Sequence, residues 1–175
     1  MSKIIDGFWW LVEVVAGWCL GVLFKILHKE LTPEVKENFL QFVRFLVVGV
    51  SNTVISYLLL TGSRLLLEYV GVAERPAYII ANAIAFILGV GWSYFWNNKY
   101  VFKKGEGESR SFFKSLIKTY ISYSFTGLFL SSILLVVWIE WLGISKFVAP
   151  LINSIIGVPI NFLINKFWSF KSEER

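Results

Sequence analysis

The chain holds one cysteine, Cys19, and one histidine, His28, in 175 residues. A single cysteine excludes an internal disulfide, and so little thiol and imidazole argues against a Cys/His metal site within one chain. Charge is scarce too. Only 17% of residues are Asp, Glu, Lys or Arg, against roughly 25% in an ordinary soluble domain. Acidic residues are missing from the four longest uncharged windows, which argues against a pump built on an intramembrane carboxylate. No Ser/His/Asp grouping and no phosphate-binding glycine loop stands out, so the chain reads as a non-enzyme that needs no cofactor.

What remains is apolar. Hydrophobic residues make up 56% of the chain. A core of this size cannot hide them all, so lipid must cover some. The net charge of +5 then reads as topology signalling and attraction to anionic lipid, not as a nucleic-acid footprint.

Four windows carry no charge: Phe45 to Ser63, Pro76 to Asn98, Thr119 to Ile139 and Phe147 to Asn165. Each reaches the roughly 18 to 20 residues that cross a bilayer as a helix. In lipid the backbone must satisfy its own hydrogen bonds, which favours helices over open strands. The expected fold is an all-α membrane protein, a bundle of four transmembrane helices, with spans near 43–66, 76–98, 116–139 and 146–167.

Residues 1–38 read differently. Their longest uncharged run, Val14 to Phe24, is short for a span. Ile4, Phe8, Leu11, Val12, Val15, Trp18, Val22 and Ile26 share one helical face, with Lys3, Asp6, Glu13 and Lys25 towards the other. An amphipathic helix lying in the membrane interface is expected, followed by a transmembrane domain over 39–175. The alternative is a fifth, tilted span with Asp6 and Glu13 buried in protein. Lys and Arg crowd the loop between spans two and three, the region before span one and the tail, including Arg175. Both termini and the middle loop are therefore expected in the cytoplasm, in a multi-pass protein of the cytoplasmic membrane. The middle loop, Gly105 to Arg110, is polar and is expected to be mobile.

Spans two and four repeat one another. Ala81, Ala85, Gly89, Ser93 and Asn97 recur every four residues, and Ala149, Asn153, Gly157, Asn161 and Asn165 match them at a constant offset. Tyr100 and Phe102 then fall opposite Trp168 and Phe170. Two duplicated helical hairpins are expected, with small residues allowing close helix approach. Four helices make a narrow cavity, so a homodimer is a further expectation; Gly17 and Gly21 are spaced to help form one.

The spans are rich in asparagine, including Asn52, Asn97, Asn98, Asn153, Asn161 and Asn165. Each repeat ends in amides beside a cation, Lys99 in one and Lys166 in the other, and Arg44 enters span one at the same level. Amide donors and fixed cations suit a lipid phosphate. The same residues also read as snorkelling anchors and as polar glue between helices. The aromatics near these ends, such as Phe95, Tyr100 and Trp168, read as an interfacial belt. Pro159 marks an expected kink in span four.

The run Phe42-Val43-Arg44-Phe45-Leu46-Val47-Val48-Gly49-Val50-Ser51-Asn52-Thr53 resembles the opening of the GtrA-like family. So do the two span endings, Trp96 to Phe102 and Asn161 to Phe170. Asn98 stands where that pattern expects a basic residue, and Lys99 follows one place late. The resemblance covers residues 40 to 171 and implies a role in cell-surface polysaccharide or glycolipid synthesis. It implies movement of a polyprenyl-phosphate-linked monosaccharide, such as undecaprenyl-phosphate glucose, between membrane leaflets. The alternative it implies is an anchor or regulatory subunit of a polyprenyl-phosphate glycosyltransferase. Arg44, Asn52, Asn97, Asn165 and Lys166 are the positions that the resemblance marks most strongly.

Overall fold

The computed structural model describes residues 2–105 and 109–172. Glu106, Gly107 and Glu108 of the polar loop, and Arg175 of the tail, lie outside the described residues. Among the described residues five long helices follow one another: α1 (Ser2–Ile26), α2 (Pro33–Tyr69), α3 (Glu74–Val101), α4 (Phe112–Trp141) and α5 (Ala149–Ser169). All five are long and apolar enough to cross a membrane. Their outward faces carry large apolar side chains such as Leu128 and Ile155, the surface that lipid covers.

Charge-free windows count four spans, and the structure adds α1 as a fifth candidate. The difference turns on Glu13, which interrupts the window but is not a bare charge. Its carboxylate pairs with the Arg44 guanidinium of α2 at 2.8 Å, and Glu37 of α2 holds the same guanidinium at 2.8 Å. Trp9, one turn before Glu13, is buried and stacks on Tyr100 of α3 with centroids 5.1 Å apart. So α1 packs on the bundle through its Trp9–Glu13 side, while Trp10 and Trp18 stay outside.

The helix ends follow local chemistry. His28 adopts a positive φ of 51° and stops α1. Thr32 caps α2, its hydroxyl accepting from the Val35 amide, and Pro33 takes the first turn, where a missing N–H does no harm. At the far end of α2, Arg64 bridges Glu68 at 2.7 Å and Glu74 of α3 at 2.8 Å.

The α2–α3 contact is the most extensive in the bundle, and Gly89 lets the two helices approach closely. A Cβ on Gly89 would run into the Ser56 side chain and lie 3.3 Å from the Asn52 amide oxygen. Gly89→Val is therefore expected to lower stability by about 1–3 kcal/mol through overpacking. A melting curve in detergent that matches wild type would refute the close approach.

Four stretches widen into π-helix: Asn97–Val101, Phe125–Leu130, Val137–Trp141 and Asn165–Ser169. The first and last end α3 and α5 at the positions that the repeat aligns. Each closes with a backbone bond that spans five residues, the Phe102 amide donating to Asn97 at 2.7 Å and the Phe170 amide to Asn165 at 2.9 Å. Carbonyls left over at such ends need partners. Gln41 donates to Val101, Lys118 to Trp168 and Ser115 to Ser169. Arg110 donates to both Phe102 at 2.9 Å and Phe170 at 2.7 Å. One guanidinium thus ties the ends of α3 and α5 together.

An aromatic core forms around that tie. Phe102 stacks on Phe170 with centroids 4.7 Å apart. Tyr94, Tyr100 and Phe162 join it. All three are core residues, which for Tyr100 corrects its reading as part of an interfacial belt, whereas Phe95 and Trp168 remain exposed.

Candidate functional site

Small residues spaced four apart line one face of α3, and every one of them is buried against the bundle. The matching stripe of α5 behaves differently. Asn153, Gly157 and Asn161 line a cavity of about 580 Å³, whereas Ala149 and Asn165 are buried away from it. That cavity lies between α2, α4 and α5. Its α5 wall runs from Pro150 to Asn161, about 16 Å at the helical rise per residue. That is about half the hydrocarbon depth of a bilayer. The walls alternate apolar side chains with a neutral polar series that includes Asn52, Thr126, Ser131 and Ser154. Pro159 stands inside α5 within the same stretch.

The candidate residues separate into three groups. Asn52, Asn153 and Asn161 line the cavity. Their bonding differs. Asn153 is fully committed: its amide donates to the Ser131 carbonyl at 2.9 Å and hydroxyl at 2.8 Å, and its oxygen accepts from the Trp138 indole at 3.2 Å. It braces α4 against α5. Asn52 has a buried amide oxygen with no partner.

Asn97 and Asn165 form the second group. Both are fully buried, and neither lines the cavity. Asn165 donates to the Asn161 carbonyl at 2.8 Å and amide oxygen at 3.0 Å. Asn97 donates to Ser93 at 3.1 Å, and Ser93 meets the Tyr123 hydroxyl at 2.6 Å. Tyr123 also neighbours the Asn97 and Asn161 side chains. This tyrosine of α4 links the polar ends of both repeats, and it lines the cavity. Sequence reasoning passes over it because one tyrosine in an apolar run looks like any other aromatic.

The third group is cationic. Lys166 donates to Asn38 of α2 at 2.7 Å and lies over the Phe162 and Phe167 rings. Lys99 is exposed, 5.2 Å from the Tyr100 ring centroid. Arg44 is buried and already held by Glu13 and Glu37, so its charge is spoken for inside the protein. Asn98, in the place where a basic residue is expected, accepts from the Arg110 guanidinium. None of these cations lines the cavity. Among the described residues no group of three His, Cys, Asp or Glu is placed to hold a metal ion.

Residues 44–170 match the model of the family described as GtrA/DPMS, transmembrane domain. The chain belongs to the GtrA/DPMS transmembrane domain family. Two proteins named "Cell wall teichoic acid glycosylation protein GtcA" are similar to it. The one from Listeria innocua serovar 6a is 32% identical over 101 residues, covering 54% of this chain and 64% of that protein. The one from Listeria monocytogenes is 31% identical over 104 residues, covering 55% and 66% respectively. In both cases the matched stretch falls short of two thirds of the relative's length. No solved structure matches the chain significantly. The GtrA/DPMS match starts at Arg44 and ends at Phe170, so it takes in the cavity, both π-helical ends and the arginine tie. It leaves α1 outside.

Proposed function

We propose that this multi-pass GtrA/DPMS protein moves a polyprenyl-phosphate-linked monosaccharide from the cytoplasmic to the outer leaflet. The lipid tail stays in the bilayer, the sugar crosses along the cavity, and the phosphate pairs with Lys166 at the cytoplasmic level. Protein chemistry on the substrate is not required, so the role is transport and not catalysis. The names of the Listeria relatives point the sugar towards cell-wall teichoic acid glycosylation, one form of cell-surface polysaccharide modification.

One observation carries this reading. A cavity without charge, its largely apolar walls carrying amides and hydroxyls, runs about half the depth of a bilayer, and Lys166 sits one residue beyond the Asn161–Asn165 pair at its end. Hydroxyls of a sugar find amide and hydroxyl partners along such a wall. An anionic phosphate finds a cation only at the end. The sequence repeat that aligns Asn97 with Asn165 is in keeping with this reading, since each of these amides opens a π-helical stretch next to a cation. Arg44 and Lys99 remain in the proposed phosphate region, with Arg44 reachable only if Glu13 or Glu37 lets go.

A leaflet-exchange assay tests the proposal. The protein would be reconstituted with a short-chain polyprenyl-phosphate hexose, and outer-leaflet sugar followed over time. Protein-dependent exchange is expected, and Lys166→Ala is expected to slow it about tenfold by removing one charge-assisted contact. Asn161→Leu is expected to slow it similarly by blocking the polar wall. Unchanged exchange in both variants, with both still folded, would defeat the translocation reading. Absence of exchange by the wild type would favour the alternative role, an anchor or regulatory subunit of a glycosyltransferase.

A further inference from the structure

We propose that α1 is a strap that keeps the phosphate region closed, with Glu13 holding on Arg44 the place that a substrate phosphate would take. This inference concerns the regulation of translocation and rests on that reading. α1 lies outside the family match, which opens at Arg44 itself. Yet its Glu13 carboxylate accepts from Arg44 Nε at 2.8 Å, while Glu37 takes Nη1 at 2.8 Å. Nη2 takes part in neither bond. Carboxylate oxygens answer a guanidinium as phosphate oxygens do, so Glu13 competes for the same donors. The clamp also adjoins the cation assigned to the phosphate. Asn38, the neighbour of Glu37 on α2, accepts from Lys166 at 2.7 Å.

The contacts of α1 follow the start of α2. Trp9 stacks on Tyr100 at the end of α3, and Glu13 reaches Arg44 and Glu37. A Cβ on Gly17 would lie 3.4 Å from the Lys36 side chain. From Glu13 to Gly17 the contact therefore moves from Arg44 back to Lys36, away from the charge-free window that begins at Phe45. α1 is laid over the end of the bundle where the phosphate would arrive. The dock is built to let go. Trp9 is only 7% exposed, and its indole N–H is buried with no partner. Release into water or headgroups relieves that cost. The Glu13 side chain is 35% exposed, so solvent weakens its ion pair. An anion that binds only the open state shifts the balance towards it.

The single cysteine, Cys19, is exposed on α1, and a spin label there reports whether the strap is held. The full chain in mild detergent is expected to show a restrained label. A short-chain polyprenyl phosphate is expected to free it, and the matching uncharged polyprenol is not. Glu13→Gln keeps the side-chain shape and leaves Arg44 its Glu37 partner, so the variant is expected to fold. Its label is expected to be free without lipid. Binding of radiolabelled polyprenyl phosphate is expected to tighten about tenfold, the gain from opening a state about a tenth populated. Glu37→Gln, a change within α2 alone, is expected to leave the label restrained. Polyprenyl phosphate that binds without freeing the label, or unchanged affinity in Glu13→Gln, would overturn the strap and leave translocation standing. No binding of polyprenyl phosphate by a folded wild type would overturn both.

Discussion

Arg110→Ala is expected to destabilise the protein by about 3–5 kcal/mol, the largest single effect in the chain. Its guanidinium donates to the Phe102 and Phe170 carbonyls and to the Asn98 amide, and it lies 4.9 Å from the Phe170 ring centroid. Hydrogen bonds to a charged group contribute about 1.5–3 kcal/mol each, and their losses overlap because all share one donor. The residue is only 8% exposed, so water does not replace it well. Lysine carries the charge but not the fork, so Arg110→Lys is expected to recover less than half of the loss. Unfolding in a mild detergent measures both. A loss below about 1 kcal/mol for the alanine variant would mean that the two helix ends hold without their tie.

Arg44→Met is expected to cost about 3 kcal/mol. Removing this cation leaves Glu13 and Glu37 facing one another, and an unpaired, partly buried carboxylate is strongly unfavourable. The figure sits at the low end of the buried-pair range because the Glu37 side chain is 63% exposed and the Glu13 side chain 35% exposed. Most of the loss is therefore assigned to Glu13. Combining Arg44→Met with Glu13→Gln is expected to restore much of the stability, because the pair is removed together. If the double variant is no more stable than Arg44→Met alone, the α1–α2 ion pair does not carry the docking of α1.

The same two arginines show what was readable beforehand. The apolar windows for α2 to α5 needed only length and missing charge, because lipid imposes that pattern on every span. The aligned endings, Asn97 to Phe102 and Asn165 to Phe170, were visible as a repeat, yet their π-helical form was not. α1 was harder. Its Glu13 is made tolerable by a residue 31 positions away, and no local window contains that partner. Arg110 read as one more loop cation marking topology, and only the fold brings it between two helix ends. Asn153 read as a candidate contact for the sugar, and the structure shows it lining the cavity while also bonded to Ser131 and Trp138. Pattern shows that a polar residue sits in a span. Whether it is vacant for a ligand depends on neighbours from other helices.

α2 is 37 residues long, roughly 55 Å at the helical rise, almost twice the hydrocarbon thickness of about 30 Å. Its two arginine clusters, Arg44 with Glu13 and Glu37, and Arg64 with Glu68 and Glu74, are roughly 30 Å apart along that axis. They act as collars. Each resists being drawn into hydrocarbon, and together they set the depth at which the helix rides. The excess length, Pro33 to Glu37 and the turn that follows, then stands clear of the bilayer as a fixed post. A membrane thicker or thinner than the collar spacing must tilt α2 or deform around it.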